Sequence, residues 1–429
     1  MDSSLASVRR SRRTLAVAAF AAVVLLAGCG RLAAVKEQVQ RIDNAGTILG
    51  RVTTGDSSGS DVLVAVFHRR GESAIALYRV VPTTAEGAFS LLVPPGPYLV
   101  AAFVDGNRDG RHQPEEPGAF FGEPTTVQVA DQGTERISIR IDPKSRPTLT
   151  GVEVDRTPAV ATSAGAVVSL RDARFDPDNY AMGLWRPLDF LAGPGGGLYF
   201  LQEYDPKRVP VIFVHGIGDG PRRWKPAIES LDQARFQPWV LYYPSGLRLE
   251  AISNYFAGAV HELRRRHGFT RFAVVAHSMG GLVTRSFVQR LDAHYPEELQ
   301  ALRLVVTVNS PQGGMASAAS GVEYSPIVIP SWQDVATGSE FLASLDKRGW
   351  PGQVPLHLVF SFDGNESGDG TVALASQLPV ALQSEAVRLF GFQGTHVSTV
   401  ADGRFLGLMN RLLDETNGPT PATAANSAR

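Results

Sequence analysis

The chain has 429 residues, 44% of them hydrophobic and 19% charged, enough for two or three domains with buried cores. These proportions exclude a coiled coil, a collagen-like fibre and a largely disordered chain. With 41 basic and 42 acidic residues the net charge is −1, so there is no basic field to attract nucleic acid. A single cysteine, Cys29, excludes an intramolecular disulfide.

Residues 1–28 have the layout of a targeting segment. Arg9, Arg10, Arg12 and Arg13 form a basic head, and Leu15 to Leu26 is an apolar run too short to span a bilayer. The string Leu26-Ala27-Gly28-Cys29 resembles the bacterial lipobox. The resemblance implies lipidation at Cys29, cleavage before it, and a mature protein anchored in a membrane of the bacterial cell envelope. More than one acyl chain gives stable anchoring where one does not. The alternative is an ordinary secretory signal with Cys29 as a stray thiol.

Residues 29–44 hold the anchor and a short amphipathic helix, with Leu32, Val35, Val39 and Ile42 at helical spacing. Residues 45–142 carry seven short runs rich in Val, Ile and aromatics, separated by Gly, Pro, Asp and Ser, which predicts a small β-sandwich domain. Gly87-Ala88-Phe89-Ser90 with Pro95-Gly96-Pro97-Tyr98 resembles the carboxypeptidase-regulatory or transthyretin-like sandwich. Residues 143–197 form a Pro- and Gly-rich linker whose aromatics, among them Phe175, Tyr180 and Phe190, predict packing of its second half on the next domain.

From 198 to 415 the pattern alternates between strand and helix. Val209–Val214, Phe272–Ala276, Leu302–Val308, Leu356–Phe362 and Val387–Phe392 are continuous or near-continuous apolar runs. Such runs between helices predict a mostly parallel sheet buried on both faces, an α/β fold. Residues 416–429 read as a disordered tail.

The run Phe272–Ala276 leads into Ala276-His277-Ser278-Met279-Gly280-Gly281 and then a helix. This strand–turn–helix context suits a nucleophile elbow, in which a sharp turn presents the Ser278 hydroxyl above the sheet. Ala276 stands where the usual pattern has Gly. Here the alternative is a helix start with Ser278 as its cap. Upstream, Val214-His215-Gly216-Ile217-Gly218 ends a buried strand in His-Gly. Together these motifs resemble the lipase and esterase branch of the α/β-hydrolase superfamily over residues 198–415.

That resemblance implies an oxyanion hole from the amides of Ile217 and Met279, a structural role for His215, and the chain order Ser, acid, His. Of the histidines after Ser278, His294 falls in a polar helix end and His357 within a strand; His396 follows the last strand, where the family places its base. Asp369 in Gly368-Asp369-Gly370-Thr371-Val372 resembles the acid motif of many lipases, and Asp363 is the alternative. The expected catalytic set is therefore Ser278, Asp369 and His396, acting on carboxylic, acyl or lipid esters without a catalytic cofactor. An acyltransferase or lipid-remodelling deacylase would use the same set. A binding or adhesion lipoprotein on a relict hydrolase is the rival from another class.

Two further segments stand out. Asn309-Ser310-Pro311-Gln312-Gly313-Gly314 resembles the family's pocket-supporting Thr-Pro-x-x-Gly stretch, and residues 315–345 form an apolar insert readable as a lid or as extra core. Asp105, Asn107, Asp109 and Glu116 have the spacing of a calcium loop, with a hairpin turn as the alternative. The partners expected are an ester or lipid substrate and a membrane through the lipid anchor, with no nucleic acid.

Overall fold

A computed structural model describes residues 29–55, 61–70, 74–84, 87–106, 113–122, 126–131, 133–147, 152–153, 164–364 and 367–415. The signal segment before Cys29, the tail after Glu415, and Asn107 and Asp109 of the acidic loop lie outside these residues.

Helix α1 (Cys29–Asp43) precedes nine strands: β1 (Gly46–Thr54), β2 (Asp61–Arg70), β3 (Ala74–Thr84), β4 (Ala88–Val93), β5 (Gly96–Asp105), β6 (Gly118–Phe120), β7 (Val127–Val129), β8 (Thr134–Ile141) and β9 (Val152–Glu153). They make two sheets, one in the order β4-β1-β8 and one in the order β6-β5-β2-β3-β9 with β7 also paired to β5. Alternate residues from both sheets, among them Ile48, Val64, Leu91, Val100 and Ile139, share one buried apolar core.

The rest of the described chain builds a seven-stranded sheet. Helices α2 (Pro177–Trp185) and α3 (Pro187–Ala192) lead to β10 (Gly197–Phe200) and β11 (Val209–Val214). Next come α4 (Lys225–Ser230), β12 (Phe236–Tyr242), α5 (Leu249–His267), β13 (Phe272–His277), α6 (Met279–His294), α7 (Pro296–Ala301) and β14 (Leu302–Val308). The chain continues through α8 (Ala316–Tyr324), α9 (Pro330–Val335), α10 (Glu340–Arg348) and β15 (Leu356–Phe362). It ends in α11 (Leu374–Gln377), α12 (Val380–Glu385), β16 (Arg388–Gln393) and α13 (Gly403–Glu415). The strand order is β10-β12-β11-β13-β14-β15-β16. Only β10 runs antiparallel to its neighbour.

Both faces of this sheet are covered, which explains why its central strands are apolar at most positions. Ile212, Val214, Val274 and Ala276 face one core, while Val211, Phe213, Ala273 and Val275 face the other. On the first side α5 lays down Ile252, Phe256, Val260 and Leu263, spaced to share one stripe. Its Phe256 stacks on Phe287 of α6 at 3.8 Å. Four basic residues, Arg264 to His267, close the helix next to the left-handed Gly268, in the arrangement the helix dipole favours. The second core is filled by α13 with Phe405, Met409 and Leu413, and by Phe175, Tyr180 and Phe190, whose rings pack on Tyr242.

The insert at 315–345 packs into two apolar clusters. Leu342 and Leu345 of α10 are buried in the first core. Ile329 and Trp332 instead join Val35 of α1, with the partly buried Leu184, Trp185 and Ile217, in a separate cluster beside the loop after β11. Helix α1 is held there by Gln38, whose amide donates to Asp189 Oδ1 at 2.8 Å and accepts from the Leu188 amide at 2.9 Å. Among the described residues no helix is long and apolar enough to cross a membrane.

Candidate active site

Ser278 ends β13 and opens α6 with φ 54° and ψ −130°. This is backbone that a non-glycine residue adopts only when its surroundings force it. The forcing comes from two close approaches. A Cβ on Gly280 would stand 2.5 Å from the His215 carbonyl oxygen, and one on Gly216 would stand 2.9 Å from Ser278 Cβ. The loop after β11 is therefore clamped against the elbow, and only glycine fits at either contact. The Ser278 side chain does not cap the helix. Its Oγ lies 2.9 Å from His396 Nε2 instead, so the simple N-cap alternative fails.

His396 Nδ1 lies 2.7 Å from Asp369 Oδ2. The other carboxylate oxygen of Asp369 accepts from the amides of Thr371, at 2.9 Å, and Val372, at 2.7 Å. Asp369 is 1% exposed, whereas Asp363 is exposed and away from this chain of contacts. The structure thus brings together Ser278, His396 and Asp369, from three separate strand ends, in the geometry of a nucleophile, a base and an orienting acid. His294 sits exposed at the end of α6, and His357 is buried within β15.

Met279 is the first residue of α6, so its N–H has no acceptor within the helix. Ile217 follows Gly216 in the clamped loop. That loop is braced from the segment after β12. Tyr243 N–H donates to His215 Nε2 at 3.3 Å, and the two rings stack at 4.1 Å. His215 Nδ1 donates to the Gly216 carbonyl at 2.8 Å, and Ser245 Oγ accepts from the Gly218 amide at 2.9 Å. Both His215 nitrogens are used, which is the structural role expected of it.

A mostly parallel sheet with one antiparallel strand at its edge carries, at the end of its central strand, a strained serine on a tight turn into a helix. A histidine and an aspartate follow the last two strands. This is the α/β-hydrolase fold. No protein-family model matches the chain, and no curated protein does. Among solved structures it is similar to a gene product of Listeria innocua, at 14% identity and TM-score 0.39, over 48% of this chain and 94% of that one. It is also similar to Bacillus licheniformis lipase BlEst2 in mature form, at 17% identity and TM-score 0.39, over 49% and 94%. A Paleococcus ferrophilus monoacylglycerol lipase is 16% identical with TM-score 0.37, over 51% and 97%. At such low values the assignment rests on this chain's own strand order and elbow.

Two residues in this α/β-hydrolase site carry no signal that the sequence motifs expose. His277 Nε2 lies 2.9 Å from the His396 carbonyl oxygen, and Asn309 Nδ2 donates to the same oxygen at 3.0 Å. Burial and the neighbouring His396 push the His277 pKa down to about 4, so its ring is neutral and Nε2–H is the donor. On the other side the His396 amide donates to the Asp369 carbonyl at 2.9 Å. The backbone of His396 is therefore held from both ends. Asn309 has φ 52°, a left-handed conformation that Asn tolerates better than most residues. A polar residue at the end of a buried strand, next to the supporting Ser-Pro stretch, is the nearest thing to a hint.

Of the acidic loop, Asp105 and Glu116 lie among the described residues. Glu116 Oε1 accepts from the Gly106 amide at 2.8 Å and Oε2 from the Gln113 amide at 2.9 Å. Its carboxylate is engaged in closing the loop. Among the described residues no group of three His, Cys, Asp or Glu side chains is placed to hold a metal.

Burial sets a pH limit on this fold. His215, His277 and His357 all have pKa values pushed down to about 4 by burial. In the unfolded chain they titrate near 6.5, so between pH 6.5 and 4 the unfolded state binds more protons. Stability is complete above 6.5 and is lost as pH falls, by roughly 3 kcal/mol per ring. Asp334, pushed up to about 6 by burial, and Asp43, also raised by burial, act in the opposite sense, while His267, Glu298 and Asp402, whose pKa values are lowered, act with the three rings. The melting temperature is expected to drop steeply from pH 7 to 4.5. His357→Phe, remote from Ser278, should flatten that drop; an unchanged slope would refute the assignment.

Proposed function

We propose that the protein is a serine hydrolase that cleaves carboxylic esters, acyl or lipid esters in particular, through an acyl-enzyme. The observation that carries this reading is the unbroken contact chain Ser278–His396–Asp369 on a strained elbow. Ser278 Oγ attacks the ester carbonyl while His396 Nε2 takes its proton. Asp369 keeps the proton on Nδ1 and stabilises the imidazolium. The amides of Ile217 and Met279 receive the developing oxyanion, each worth about 3 kcal/mol in the transition state. Collapse of the intermediate expels the alcohol, which takes the proton from His396. Water, activated by the same imidazole, then attacks the acyl-serine and releases the acid. A fluorophosphonate probe followed by peptide mass analysis tests this: the label should sit on Ser278. Labelling elsewhere, or none, would overturn the reading.

The anchoring proposal is separate. It rests on Leu26-Ala27-Gly28-Cys29 with the chain's one cysteine at the position lipidation requires. Cleavage before Cys29 and acylation would leave α1 starting at the lipid, in the bacterial cell envelope. The wild-type protein should partition with membranes and carry the added mass of acyl chains. Cys29→Ser should release the protein or leave its precursor uncleaved. Identical membrane fractionation of both forms would refute the anchor.

A further inference from the structure

A cavity lies beside the segment that braces the loop carrying Ile217. It is bordered by α1, the turn after β4, α3 and the segment from Tyr242 to Tyr255, and it opens to solvent. Its volume is about 140 Å³. Leu188, Leu191, Leu247 and Ile252 are among its walls, and Ser278, His396, Ile217 and Met279 do not line it. Of the residues lining it, Arg41 alone is charged. Arg41 is exposed in the last turn of α1, and no carboxylate among the described residues pairs with it.

Protein interiors are packed too tightly to leave such space idle without cost. An apolar cavity of about this volume has room for a ring of roughly six carbons. Polar or charged groups would not enter the apolar end, whereas an anion would be drawn to the guanidinium at its edge. We propose that this cavity binds a medium-chain carboxylate, on the order of eight carbons, with its alkyl end among the leucines and its head group on Arg41. The site goes beyond the proposed ester hydrolysis, and none of the residues proposed to carry that reaction lines it. Its wall is the segment that braces the oxyanion loop, because Tyr243 supports His215 and Ser245 supports Gly218. An acid of the class released by the proposed reaction would therefore bind against the segment that braces the loop proposed to receive the oxyanion.

Isothermal titration of the full chain with octanoate tests the proposal, before and after Ser278 is blocked by a fluorophosphonate. Saturable one-to-one binding should persist after blocking. Arg41→Glu should weaken it at least about tenfold, and Ala251→Trp, which fills the cavity from α5, should do the same. Octanol, lacking the charge, and butanoate, lacking the chain, should each bind more weakly. Ester turnover by Arg41→Glu should match wild type, which separates a failure here from a failure of the catalytic reading. The Ser278→Ala chain should bind octanoate as wild type does, so the result stands even if the probe does not react. No saturable heat, binding lost on blocking Ser278, or equal affinity for octanol and octanoate would each overturn the proposal.

Discussion

Ser278→Ala is expected to lower kcat for ester hydrolysis by about 10³-fold or more, leaving only the residual catalysis of binding and the two amides. His396→Ala and Asp369→Asn should fall in the same range. Their losses should not add, because the three groups act on one proton and one oxygen. Any double variant should therefore resemble the worse of its parents. Asp363→Asn is the internal control, since Asp363 is exposed and its amide only closes a turn onto the Gly368 carbonyl. It should retain wild-type kcat. Activity lost in Asp363→Asn but kept in Asp369→Asn would reverse the acid assignment. Full activity in Ser278→Ala would remove the mechanism altogether.

The second large effect concerns the two donors on the His396 carbonyl. Neither touches substrate; both fix where the imidazole stands. A misplacement of about 1 Å at a reacting group costs on the order of 10²-fold. Asn309→Gly keeps the left-handed backbone and removes the donor, so kcat should fall by roughly 10- to 100-fold with KM little changed. His277→Ala should do the same, and His277→Gln, which restores an N–H donor, should recover part of the loss. A defect in folding alone would lower the active fraction without this pattern of rescue. If Asn309→Gly and His277→Ala both keep wild-type kcat, the carbonyl needs no such hold.

Much of the molecule is legible in its residues alone, for identifiable physical reasons. Val209–Val214, Leu302–Val308 and Leu356–Phe362 match their strands residue for residue, because a strand buried on both faces reads as a near-continuous apolar run. Ser278, Asp369 and His396 are legible because turn chemistry surrounds each with small residues. Strand β10 is not, since four residues between a glycine run and a polar turn carry no periodic signal. Helices α2 and α3 are hidden inside a Pro-rich stretch, where the prolines mark first turns rather than breaks. The donors on His396 are illegible for a different reason. His277 and Asn309 lie 119 and 87 positions from the carbonyl they hold, a distance no local pattern spans.

That separation bears on how the protein comes into being. Ribosomes deliver the chain from its amino end, so the sheet as far as β14 can pair before β16 exists. Ser278 and the loop that faces it can then be complete while His396 is still unmade. Throughout that interval the serine sits on its strained turn with no base beside it. On the proposed mechanism, the base reaches the hydroxyl only when the last strand docks against β15 and carries the imidazole over it. A chain that still lacks β16 therefore lacks the base that the proposed ester cleavage needs.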